Sequence, residues 1–88
     1  MANHPSSLKR IRSSERRRKR NRLVRSGTRS AVKKARVSIS AGNVDEAEAA
    51  VLAAVSALDS AASKGVIHKN NAARRKSRLM RQLNQARA

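Results

Sequence analysis

The sequence predicts an all-α fold, a three-helix bundle with a long, basic first helix projecting beyond the bundle. Three observations carry that expectation. Ala, Arg, Lys, Leu and Glu, all good helix formers, dominate the chain. No segment alternates β-branched and polar residues, and the one proline, Pro5, stands at the front. Gly42 and Gly65 fall where a left-handed residue would end a helix, dividing the chain into helices near 6–41, 44–63 and 69–86.

The first helix changes character midway. From Val24 onward, Val24, Thr28, Ala31, Val32, Ala35 and Ile39 recur at helical spacing as a core face, with Arg25, Arg29, Lys33 and Arg36 as a stripe beside it. Before Leu23 that face is nearly absent. Residues 16–25 read RRRKRNRLVR, seven bases, one Asn and two apolar side chains. At about 100° per residue, Lys9, Arg10, Arg12, Arg16, Arg17, Arg18, Lys19, Arg20 and Arg22 point in every direction around the axis. No Gly or Pro interrupts residues 9–22, and Leu8 and Ile11 offer a small apolar anchor. The expected organisation is one domain over 1–88: a basic arm over 1–22, continuous with the first helix, and a bundle over 23–88.

The second helix opens on Asn43 and Glu46, spaced as a capping box, with Asp45, Glu46 and Glu48 loading the positive end of its dipole. Ala47, Val51, Ala54, Val55, Leu58 and Ala62 share one face. Residues 43–63 hold four acids and no base, so this helix is expected to face away from any polyanion. In the third helix His68 can cap, and Ile67 can pack on Ala72 as a hydrophobic staple. Ala72, Leu79, Leu83 and Ala86 form its apolar face, while Arg74, Arg78, Arg81 and Gln85 run down nearly the opposite side.

Charge then points to a partner. The 88 residues carry 22 Lys+Arg against 5 Asp+Glu, a formal net charge of +17. A chain this short buries little apolar surface, and self-repulsion lowers its stability further. A polyanion binding the folded state reverses that effect.

The missing residues narrow the choice. There is no Cys, which excludes disulfides and thiolate metal sites. There is no Phe, Trp or Tyr, so neither base stacking on aromatic rings nor aromatic anchoring at a membrane is available. No signal peptide or spanning segment is evident, because the most apolar run is Ala-rich and interrupted by acids. The expected partner is a duplex-rich nucleic acid. Bases on every side of one helix suit insertion between several phosphate backbones, which folded RNA provides more readily than linear duplex DNA. Two rival readings are a nucleoid or histone-like DNA-binding protein and a cationic membrane-active or calmodulin-type target helix. The weak apolar face of residues 6–22 counts against the latter.

Nothing suggests an enzyme. His68 has only His4 for company and no carboxylate to orient it, so helix capping or a phosphate contact is the better role. Ser13 and Ser14 lack the base and orienting group that a nucleophile needs. No glycine-rich phosphate loop is present. Neither cofactor nor metal is expected.

Residues 64–83, KGVIHKNNAARRKSRLMRQL, resemble the signature of protein twenty of the bacterial small ribosomal subunit. The family pattern is Lys-Gly-x-(Ile/Leu)-His-Lys-Asn-x-Ala-Ala-Arg-x-Lys-(Ser/Ala)-x-Leu. It is matched here by Lys64, Gly65, Ile67, His68, Lys69, Asn70, Ala72, Ala73, Arg74, Lys76, Ser77 and Leu79. Met1, Ala2 and Asn3, then Ser7, Leu8, Lys9, Arg10, Ile11 and Arg12, with Glu15, Arg17, Arg18, Arg20, Asn21 and Arg22, extend the likeness, as does the hinge at Ala41, Gly42 and Asn43. The resemblance implies a three-helix bundle with a long first helix. It also implies direct binding to small-subunit (16S) ribosomal RNA, with several RNA helices held together during assembly of the subunit.

On these readings the expected RNA contacts fall into two groups. The arm supplies Lys9, Arg10, Arg12, Arg16, Arg17, Arg18, Lys19, Arg20 and Arg22. The bundle supplies Arg25, Arg29, Lys33, His68, Lys69, Asn70, Arg74, Arg75, Lys76, Arg78 and Arg81. The expected partners are small-subunit ribosomal RNA and the ribosome, in the cytoplasm, with no membrane, no small-molecule substrate and no homo-oligomer.

Overall fold

The computed structural model describes residues 5–88; Met1, Ala2 and Asn3 of the family likeness, and His4, lie outside the described residues. Three helices follow in order: α1 (Pro5–Ala41), α2 (Val44–Ser63) and α3 (Lys69–Arg87). These bounds lie within a residue of those expected. The described residues contain no strand.

Length sets the shape. The 37 residues of α1 span about 55 Å at 1.5 Å rise per residue, whereas the 20 residues of α2 span about 30 Å. The molecule measures 63 × 21 × 14 Å, so a large part of α1 has no helix beside it.

Both turns rest on a glycine and a cap. Gly42 takes φ +85°, and its N–H donates to the Ile39 carbonyl at 3.2 Å. Asn43 is extended and its Oδ1 accepts the Glu46 N–H at 3.2 Å, the forward half of the expected capping box. At the other end of α2, Gly65 takes φ +75°. The Val66 N–H reaches the Ala61 carbonyl at 2.9 Å and the Gly65 N–H reaches Ala62 at 3.0 Å, a Schellman arrangement that satisfies carbonyls at the end of the helix. Val66 and Ala61 are both buried, which folds the chain back onto the core before α3 begins. His68 caps α3 as expected, its Nδ1 accepting the Asn70 N–H at 3.1 Å.

The core lies in the second half of α1 and along the facing sides of α2 and α3. Val32 and Ala35 of α1 meet Ala47, Val51, Ala54 and Leu58 of α2 and Ala72, Leu79 and Leu83 of α3. Alanine fills much of this list, so the helix axes are free to approach closely. The buried hydroxyl of Thr28 donates to the Val24 carbonyl at 2.8 Å and costs nothing in lost hydrogen bonding. Two details depart from the sequence expectation. Ala61 is fully buried and Ala62 only partly, because the turn after α2 curls over Ala61. Ala86 is exposed, since it sits at the edge of the α3 face and in its last turn.

Candidate nucleic-acid interface

The N-terminal half of α1 forms the first part of the site. All nine bases from Lys9 to Arg22 are exposed, and the helix runs through them without a break. Leu8 and Ile11 are also exposed, at 43% and 51%, so the expected apolar anchor is not buried among the described residues. The arm is a helix charged on all sides, with its bases exposed throughout.

A furrow runs down one flank of that helix into the bundle. Ser14, Arg17, Arg18, Asn21, Arg22, Arg25, Ser26 and Arg29 line a depression of about 760 Å³. Steps of three and four place these side chains on one strip of the surface. Its walls include five arginines and no acid. Such a trough attracts anions and repels cations.

The tertiary structure then joins two stripes that the sequence places on separate helices. Arg25 and Arg29 of α1 meet Arg75 of α3 around a cleft of about 120 Å³ floored by Thr28, Leu58 and Ile67. The Arg75 Nε donates to Asn71 Oδ1 at 2.7 Å, which holds the guanidinium along the helix. Arg74, Arg78 and Arg81 are exposed on the outer side of α3, and Lys33 is exposed on α1. His68, Lys69 and Asn70 are exposed at the N-terminus of α3, where the helix dipole is positive. The His68 Nδ1 is engaged by the cap, which leaves its other ring nitrogen to meet an outside partner.

Lys76 stands apart from the other residues expected to touch RNA. It follows Ala72 by four residues and precedes Leu79 by three, so it sits on the inward face of α3. Its Nζ lies 2.7 Å from Asp59 Oδ1 of α2. A second pair, Arg87 with Glu48 at 3.0 Å, joins the same two helices. The acids of α2 therefore neutralise bases of α3 locally, and the unpaired positive surface is displaced toward α1 and the outer side of α3.

Two further residues come together beside the arm. Asn21 and Lys64, with Arg20, Val24 and Val66, line a recess of about 250 Å³ where the arm leaves the bundle. The available signals were weak: Asn21 is the one neutral residue within RRRKRNR, and Lys64 is the base beside the turn glycine. Among the described residues, no three His, Cys, Asp or Glu gather as metal ligands. Nor is any helix of the described residues long and apolar enough to cross a membrane.

Comparison with known proteins agrees with this architecture. Residues 2–84 match the family model described as Ribosomal protein S20. The small ribosomal subunit protein bS20 of Thermomicrobium roseum is 54% identical over 84 residues, covering 96% of this chain and 85% of that protein. The bS20 proteins of Geotalea daltonii and Thermobifida fusca are 49% and 51% identical, with 97% and 92% of their lengths covered and 96% and 97% of this chain. A charged, exposed helical arm on a small alanine-rich bundle, together with this likeness along nearly the whole chain, places the protein in the ribosomal protein S20 family, the non-enzymatic helical proteins of the small ribosomal subunit.

Proposed function

We propose that this protein binds small-subunit ribosomal RNA directly and holds several RNA helices together as the subunit assembles. The observation that carries the reading is the exposure of nine bases around an arm that touches neither of the other helices along most of its length. Packed phosphates repel one another, and a rod with cations on all sides lowers that repulsion for every strand around it. The bundle acts as a handle. Arg25, Arg29 and Lys33 of α1, with Arg75 of α3 beside the first two, and Arg74, Arg78 and Arg81 on the outer side of α3, neutralise the backbones that flank it. His68, Lys69 and Asn70 offer the N-terminus of α3 to a phosphate or a ribose hydroxyl. Recognition is chiefly of backbone and shape, since phosphate-contacting side chains predominate.

The test is salt dependence measured against folded ribosomal RNA and duplex DNA at matched phosphate concentration. With six to ten phosphate contacts, affinity for the RNA falls by roughly 10³–10⁵ between 50 and 200 mM salt. A flat dependence overturns the reading. Equal or tighter binding to duplex DNA favours a nucleoid-type role instead.

A further inference from the structure

We propose that the recess between the arm and the α2–α3 turn receives a single unpaired nucleotide of the RNA, with Asn21 reading the edge of its base. This rests on the RNA-binding reading above and adds a place where sequence, rather than charge, is sensed.

The recess is a step in the molecule. The azimuth of α1 that buries Thr28, Val32 and Ala35 continues up the helix through Val24 to Asn21, but the bundle that would cover it stops at the turn. What remains is a notch of about 250 Å³, with Val24 on the wall, Val66 at its base, and Arg20 and Lys64 at its lips. Val66 is 7% exposed and is tied to the end of α2 by its backbone bond to Ala61. The notch is commensurate with one nucleoside and too small for a base pair.

Its chemistry is divided in the way such a ligand requires. Two valines offer apolar surface to a base or the face of a ribose. Arg20 and Lys64, from different elements, flank the opening where the phosphates on either side of that nucleotide would run. Asn21 alone carries both a donor and an acceptor into the same space. It is half-buried, and it takes part in none of the side-chain hydrogen bonds found between described residues. A carboxamide in that position matches the paired donor and acceptor on a base edge, adenine being its best complement. A tenth base at this point of the arm would have served phosphates equally well. An amide serves a base.

The experiment uses the full chain and a folded fragment of small-subunit ribosomal RNA. Base-specific chemical footprinting is combined with affinity measured over a salt series for the wild type, Asn21→Ala and Lys64→Ala. The wild type should protect the base edge of one unpaired nucleotide. Asn21→Ala should lose that protection alone and weaken binding about 5- to 150-fold, with the salt slope unchanged because no charge is removed. Lys64→Ala should lower the slope by about one. Alanine is the better helix former, so retained helicity in Asn21→Ala separates a lost contact from a lost fold. Wild-type affinity in Asn21→Ala, or protection of phosphates with no base protected, overturns this inference while leaving direct RNA binding intact. Failure of the wild type to bind overturns both.

Discussion

The Lys76 ammonium lies 2.7 Å from the Asp59 carboxylate and bridges α3 to α2. Lys76 lies on the buried face of α3, in line with Ala72, Leu79 and Leu83, so its stem covers apolar surface while its tip reaches an acid. The pair is partly solvated, with side chains 34% and 56% exposed, and is worth no more than about 1 kcal/mol. Lys76→Ala should therefore lower stability in urea by about that amount and leave the salt slope of RNA binding unaltered. A slope reduced as much as by Arg78→Ala would mean that the ammonium leaves Asp59 for a phosphate.

The arm should be separable from the bundle. Arg16, Arg17 and Arg18 are fully outside the core, and their replacement together by Ala removes charge without opening a cavity. We expect weaker RNA binding, a salt slope smaller by about two to three, and an unchanged thermal transition for α2 and α3. Unfolding of the bundle in this variant would show that the arm contributes to the core after all.

The glycines should respond in opposite directions. Gly27 lies inside α1 with helical backbone, and a methyl group added there meets nothing within 4 Å. Gly27→Ala should stabilise the free protein by about 0.5–1 kcal/mol. Gly65 also has open space, but its φ of +75° is strained for any L side chain. Gly65→Ala should destabilise by about 1–2 kcal/mol, read as a shift in the denaturant midpoint.

Leu58 is fully buried and is among the largest side chains of a core otherwise rich in alanine. Leu58→Ala should cost about 2–5 kcal/mol, enough to unfold much of so small a bundle in the absence of RNA. Recovery of helical circular dichroism on adding folded ribosomal RNA would show that binding stabilises the fold. A variant that stays fully folded alone would mean that the core tolerates the cavity.

His68 holds the start of α3 through Nδ1. His68→Ala should lower stability by about 0.5–2 kcal/mol, and His68→Asn should restore most of that loss, since Asn is a good N-cap. If RNA affinity falls in both variants while stability recovers only in the second, the ring also contacts the RNA.

Much of this molecule is local and could be read along the chain. The helix bounds follow from Gly42, Gly65, Asn43 and His68, each of which acts on its own few neighbours. The core face of α1 from Thr28 to Ile39 follows from periodicity, because one helix defines the azimuth of every side chain it carries, whereas Val24, expected on the same face, lines the recess instead. The all-round charge of residues 9–22 is likewise a property of one helix. Other features depend on how far one helix overlaps another along its axis, which no periodicity encodes. The Schellman turn sets where α2 stops beside α1, and that stop creates the recess at Asn21 and Lys64. The same register carries Arg75 to Arg25 and Arg29, turns Lys76 toward Asp59, and leaves Ala86 uncovered. Sequence by itself determined the helices, their faces and the sign of their charge. Tertiary structure alone decided which cations share a cleft and which are neutralised, because those outcomes depend on distances between helices that only packing sets.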